Sequence, residues 1–387
     1  MSVIDLDQSY VANTYNRFPV VLKSGKGSLV YDENGKEYID LGTGIAVNTF
    51  GIADTEWEAA VSAQLGTLQH TSNLFYSEPC ALLAEQLCKR TGMKKVFFSN
   101  SGAEANECAI KVARKYAADR YGPSRHVILT LCNSFHGRTL TTLAATGQDV
   151  FHELFRPLTP GFVSIDTTCE ALDAAVNAYD AAGILIEPVQ GEGGVIALEE
   201  DLVKHIELVC REKDLILMVD EVQTGNGRCG ALYAYMRYGI EPDVVTTAKG
   251  LGGGLPLGAC MMGSRVENVL GFGDHGSTFG GNPACCAGAL NVLSRIDDTL
   301  MREVTEKSDY IQSVLSGAPG VISVTGMGLM LGVETVRPVA EVLADCREKG
   351  VLAISAKQKV RLLPALNIPW ELLKKSIEVL KEVCGNV

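Results

Sequence analysis

Lys249 closes an apolar, β-branched run, DVVTTAKG (243–250), and glycines at 250, 252, 253 and 254 clear the space beyond it. An ammonium group held at the end of a buried strand loses proton affinity and becomes a nucleophile toward an aldehyde. Asp220 ends a second such run, LILMVD (215–220), where a carboxylate leaving the core needs a partner. After a third run, KVFFSN (95–100), Ser101 and Glu104 have the spacing of a capping box, and Gly102 keeps bulk off the first turn. The free N–H groups and dipole of such a helix start attract an anion. Taken singly, each feature has a commoner explanation: a lysine reaching water, a carboxylate in an ion pair, an ordinary capped helix.

Together they form a set. Pyridoxal 5′-phosphate asks for helix N–H groups at its phosphate, a carboxylate at its ring nitrogen and a lysine at its aldehyde. The glycines after Lys249 then let cofactor and substrate approach the backbone.

These groups need a scaffold that ends several strands on one edge. Nearly continuous apolar runs at 95–100, 126–131, 183–188, 215–220, 243–250 and 259–263 read as strands covered on both faces. Helical patterns lie between them, such as LVKHIELVCREKD with Leu202, Ile206 and Val209 on one face. That alternation predicts an α/β fold with a mostly parallel sheet and ligands beyond the carboxyl ends of its strands. The last third pairs amphipathic helices (Leu373, Ile377 and Leu380 in PWELLKKSIEVLKEV) with short strands such as KVRLLP, which predicts a smaller α+β domain. GSLVYDENGKEYIDL reads as a hairpin turning at Asn34-Gly35.

With 387 residues, 47% of them hydrophobic, the chain can build more than one domain. Its formal charge of −12 argues against nucleic-acid or anionic-membrane partners. Local arginines can still recognise anionic substrates. The 12 cysteines show neither CxxC pairs nor metal spacing, and no targeting segment or bilayer-length apolar run occurs. A cytoplasmic protein with reduced thiols and no metal is expected. Gly27 and Gly35 lack P-loop spacing, and 250–254 is not a dinucleotide fingerprint. Cys285 and Cys286 read as packing residues, and His136 as structural.

NSGAEANE, FHGRT, EPVQGEGG, DEVQTG, TTAKGLGGG and STFGGNP occur in that order. The series resembles that of the class III (subgroup II) pyridoxal-phosphate aminotransferases, from about Tyr15 to about Pro369. The resemblance implies a type I fold with a large cofactor domain (51–285), a small domain from both chain ends (1–50 and 286–387), and a homodimer with shared sites. It implies Lys249 as the lysine that binds the cofactor and Asp220 as partner of the ring nitrogen. Gln223 matches a contact to the phenolic oxygen, and Ser101, Gly102 and Ala103 the phosphate-binding helix start. Phe135 matches the aromatic stacked on the ring, and Thr278 a phosphate ligand from the other subunit. Arg138 and Arg361 match arginines that hold substrate carboxylates, with Glu192 pairing the second. Tyr15 and Ser277 are expected along the substrate pocket.

The implied reaction moves the terminal amino group of N2-acetyl-L-ornithine to 2-oxoglutarate. By resemblance, Gly44 falls where ornithine δ-aminotransferases tend to have a tyrosine, and a glycine leaves room that suits a donor carrying an N-acyl group. Free ornithine, N-succinylornithine, diaminopimelate and 4-aminobutyrate are the alternative donors; an aminomutase and a non-catalytic binding protein are the alternative classes. Three departures from the family pattern fall on substrate-facing loops: TFGIADTEWE after Ala46-Val47-Asn48, ISAKQK without an expected glycine, and Pro364-Ala365 in place of two prolines.

Overall fold

The computed structural model describes residues 1–386. Its centre is a seven-stranded sheet. The strand order is Lys95–Ser99, Gly258–Met262, Val244–Thr247, Ile216–Asp220, Ala181–Ile186, Val127–Leu131, Phe162–Ile165. Only Gly258–Met262 runs antiparallel to its neighbours, so all the others point the same way. All six expected strands are present. The seventh, Phe162–Ile165, has no counterpart among the sequence expectations: it is a four-residue edge strand with only Ile165 buried, too short to show a pattern.

Alternation within the strands explains why both faces are covered. Ile216 and Met218 pack with Ala109, Val112 and Tyr116 of the helix Gly102–Tyr121. Leu217 and Val219 pack on the other face with Leu202, Ile206 and Val209 of the helix Glu200–Glu212. Met218 and Val219 have no exposed surface. Burial of each such side chain contributes about 1.5–3 kcal/mol, enough to fix the register. That register aligns Asp220 with Thr246 and Val219 with Ile186, which brings the carboxyl ends to one edge.

The chain ends form two smaller sheets. Leu29–Asp32 and Glu37–Asp40 make the expected hairpin, with the Asp32 Oδ1 accepting from the N–H groups of Asn34 and Lys36. Glu37–Asp40 pairs in parallel with Val351–Leu352, joining the two ends of the chain. Lys359–Leu362 lies between Met330–Thr335 and Ile354–Ala356 in a second four-stranded sheet. The closing helix, Trp370–Gly385, buries Leu373, Ile377 and Leu380 as its periodicity requires.

Residue 285 falls inside the helix Pro283–Ser294. Arg90 donates to the carbonyls of Leu293 and Ile296 at 2.5 Å each, tying the end of that helix to the helix Glu78–Thr91.

Candidate active site

At the edge where the strands end lies a cavity of about 540 Å³, lined among others by Gly102, Phe135, Arg138, Asp220, Gln223 and Lys249. Ser101 caps the helix that follows Lys95–Ser99, its hydroxyl accepting from the Glu104 N–H at 3.2 Å. The return half of the expected box differs: Glu104 accepts from the Asn100 N–H at 2.7 Å, because its carboxylate reaches one residue further back. The N–H groups of Gly102 and Ala103 have no acceptor among the described residues. A Cβ on Gly102 would come within 2.6 Å of Val222, so only glycine lets this helix start sit against the segment after Asp220.

Asp220 is 4% exposed and held from three sides. Its Oδ2 accepts from Asn106 Nδ2 at 2.7 Å and lies 2.9 Å from His136 Nδ1. Its Oδ1 accepts from the Val222 N–H at 3.0 Å. Asn106 is fixed in turn, donating to the His136 carbonyl and accepting from Thr246. His136 Nε2 is buried with no partner among the described residues. His136 thus braces the carboxylate that the motifs single out, a structural role at the site itself.

Lys249 stands just beyond Val244–Thr247 in left-handed backbone, φ 43°. Its ammonium makes no hydrogen bond or ion pair among the described residues, although it is half-buried. Burial pushes its pKa down, and Arg361 adds to that, while Glu192, Asp220 and Glu187 oppose it. A lowered pKa favours the neutral amine that attacks a carbonyl. Thr49 donates to the Gly250 carbonyl at 2.8 Å, and a Cβ at Gly250 would crowd that hydroxyl. The glycine after Lys249 therefore lets the N-terminal segment close against it.

The two arginines differ in state. Arg138 is exposed and unpaired by any carboxylate among the described residues, its guanidinium lying 4.6 Å from the Phe151 ring centroid and 5.7 Å from that of Phe135. Arg361 is 3% exposed and donates to Glu192 at 2.6 Å and to Gln223 Oε1 at 3.1 Å. Gln223 thus links the cavity to Arg361.

Other expected residues lie elsewhere in the chain. Thr278 is exposed and lines a separate hollow with Asn73, Tyr76 and Cys80. The Ser277 hydroxyl accepts from Asn100 Nδ2 and the Gly280 N–H and is not among the residues lining this subunit's cavity. Tyr15 is 69% exposed and does not line the cavity; the N-terminal arm leaves it under Arg17. Gly44 adopts φ 64°, a left-handed conformation that favours glycine, and it does not line the cavity; a Cβ there would meet Asn48 Nδ2 at 3.7 Å.

Asn106 and Glu187 are site residues to which the sequence reading assigns no role, although they lie inside NSGAEANE and EPVQGEGG. Glu187, 5% exposed, accepts from the N–H groups of Phe135 at 2.8 Å and Gly191 at 3.3 Å. Burial pushes its carboxyl up to about 7. Its place just beyond the Ile186 strand end, in the EPVQGEGG motif, is the signal that marks it.

The donor set fits pyridoxal 5′-phosphate. A helix start has two N–H groups without acceptors, a lysine has no partner, and a buried carboxylate is held in place at the cavity wall. Residues 10–384 match the family model described as aminotransferase class-III. The acetylornithine aminotransferase of Haemophilus ducreyi is 48% identical over 99% of this chain and 98% of its own. The N-acetylornithine aminotransferase structure from Stenotrophomonas maltophilia superposes with a TM-score of 0.85 at 34% identity, covering 98% of each chain. The ornithine aminotransferase structure from Toxoplasma gondii gives 0.94 at 31% identity, covering 98% of this chain and 94% of that one.

Proposed function

The chain belongs to the class-III aminotransferases, and from that premise we propose that it moves the terminal amino group of N2-acetyl-L-ornithine to 2-oxoglutarate. The products are N-acetyl-L-glutamate 5-semialdehyde and L-glutamate, a step of arginine biosynthesis. The observation that carries the reading is the Arg361–Glu192 pair at 2.6 Å, joined through Gln223 to a cavity also lined by an unpaired Arg138. One site that takes a basic donor and then a dicarboxylate needs a cation that can be masked and released.

Pyridoxal 5′-phosphate, the cofactor of this family, supplies an aldehyde that receives the amine and a ring that takes up the electron pair released with the donor's proton. The N–H groups of Gly102 and Ala103, with the Ser101 hydroxyl, would hold its phosphate. Asp220 would keep a proton on the ring nitrogen, since an adjacent negative charge raises a base's pKa. Phe135 and Val222 line the cavity and would flank the ring. Lys249 would hold the cofactor covalently and, once displaced, move a proton to and from the amine-bearing carbon. Arg138 would grip a substrate carboxylate in its planar fork. Glu192 masks Arg361 while the donor is bound and yields it to the second carboxylate of 2-oxoglutarate.

A homodimer with shared sites belongs to this reading. Thr278 stands in the hollow beside exposed Phe75 and Tyr76, and Leu74 and Phe279 add exposed apolar surface nearby, the composition of a subunit contact. A cytoplasmic location rests on twelve unpaired cysteines, and no helix among the described residues is long and apolar enough to cross a membrane. Free ornithine is the second reading, favoured by the TM-score of 0.94 to the Toxoplasma structure. The 48% full-length identity to the Haemophilus relative favours the acetylated donor. Glutamate formation from 2-oxoglutarate with each donor in turn tests the choice. Acetylornithine should give the highest kcat/KM, and Lys249→Ala should abolish turnover with all of them. A higher kcat/KM for ornithine would overturn the substrate assignment.

A further inference from the structure

The segment ISAKQK lacks the glycine expected before Arg361. Pairing of Ala356 with Lys359 leaves Lys357 and Gln358 as a two-residue hairpin turn. Lys357 adopts φ 50° there, a left-handed conformation that glycine takes freely and lysine does not. Its ammonium donates to Asn133 Oδ1 at 2.5 Å. Asn133 is itself left-handed, φ 67°, two residues before Phe135 and five before Arg138. A Cβ at Gly193 would come within 2.5 Å of the Asn133 carbonyl, so the loop carrying Glu192 packs directly behind it. Gln190 Nε2 donates to the neighbouring Cys132 carbonyl at 2.8 Å.

The bond thus joins the hairpin that carries Arg361 to the loop that carries Arg138. The backbone strain at Lys357 and the gain from one exposed hydrogen bond are of similar size and opposite sign, so the contact adds little net stability. An observed strained residue tied to a site loop points to position rather than stability. We infer that Lys357 and Asn133 are a positioning pair that sets the separation of Arg361 and Arg138, and so the length of dicarboxylate the site accepts. This rests on the reading of those two arginines as carboxylate binders.

Glycine at either position relaxes the backbone and removes the bond, so loss of folding does not confound the test. The measurement is calorimetric binding of glutarate and succinate to the cofactor-loaded protein. For wild type, glutarate should bind more tightly than succinate. Lys357→Gly and Asn133→Gly should each weaken glutarate about five-fold, leave succinate unchanged and leave the melting temperature equal or higher. The double variant should lose no more than either single one, because both remove the same bond. Lys357→Arg should restore the preference. Unchanged glutarate affinity in both glycine variants, or additive losses in the double, overturns the positioning role alone. A wild type that binds neither diacid overturns the carboxylate reading and this inference with it.

Discussion

Arg361 and Glu192 lie 2.6 Å apart, the guanidinium 4% and the carboxylate 29% exposed. Arg361 Nε is buried with no partner among the described residues. The pair is therefore asymmetric: the cation cannot leave, but the carboxylate can swing toward water. Removing one member of a buried pair leaves a charge that seeks a new partner. An incoming carboxylate is such a partner.

Glu192→Ala should accordingly favour the dicarboxylate half of the cycle. The ratio of kcat/KM for L-glutamate to that for N2-acetylornithine should rise about three- to tenfold, or roughly 0.7–1.4 kcal/mol. Steady-state kinetics in both directions gives the ratio. An unchanged ratio would mean that Glu192 does not gate Arg361.

Gly102→Ala tests the helix start. Its Cβ would sit 2.6 Å and 2.8 Å from the two Val222 methyl carbons, so the helix must move off the segment after Asp220. Cofactor should be retained about tenfold more weakly, ~1.4 kcal/mol, with the far-UV spectrum unchanged. Equilibrium dialysis followed by absorbance reads the difference; equal retention would place the phosphate elsewhere.

Glu221 links stability to pH. It has no exposed surface and accepts from Thr224 Oγ1 and the Tyr235 N–H. Burial pushes its carboxyl from 4.5 up to about 7. The folded protein therefore binds a proton there more tightly than the unfolded chain does. That contribution to stability is complete below pH 4.5 and is lost as pH rises through 7. Relative to Glu221→Gln, wild type should lose about 2 kcal/mol of unfolding free energy between pH 5 and pH 7.5. Urea titrations at both values measure it, and parallel behaviour of the two proteins would contradict it.

The groups at the strand ends are legible in the sequence because each sits where an apolar run stops. Lys249, Asp220 and the start at Ser101–Gly102 all carry that mark. Asn106 carries no such mark. It reaches Asp220 from 114 residues away, and only the packing of a helix on two strands reveals it. Glu187 carries the same strand-end mark, but a carboxylate just past a strand reads the same whether it binds water, metal or backbone N–H groups, so its role shows only in the structure. The edge strand Phe162–Ile165 is too short for periodicity to register. Tyr15 and Ser277 are expected at the pocket by resemblance; within one subunit neither lines the cavity, and Ser277 lies beside Thr278, which the reading assigns to the other subunit's site. The missing glycine at 357 is visible in the sequence, but its consequence is not, because strain appears only with the φ angle.

The most direct test of the central claim is the first half of the reaction. The protein is purified with pyridoxal 5′-phosphate, and the visible absorbance of the lysine-bound cofactor is followed after adding N2-acetyl-L-ornithine, ornithine or 4-aminobutyrate separately. The account predicts rapid loss of that absorbance with acetylornithine, slower loss with the others, and recovery on adding 2-oxoglutarate. Absorbance unmoved by acetylornithine, or lost faster with ornithine or 4-aminobutyrate, would contradict the assignment.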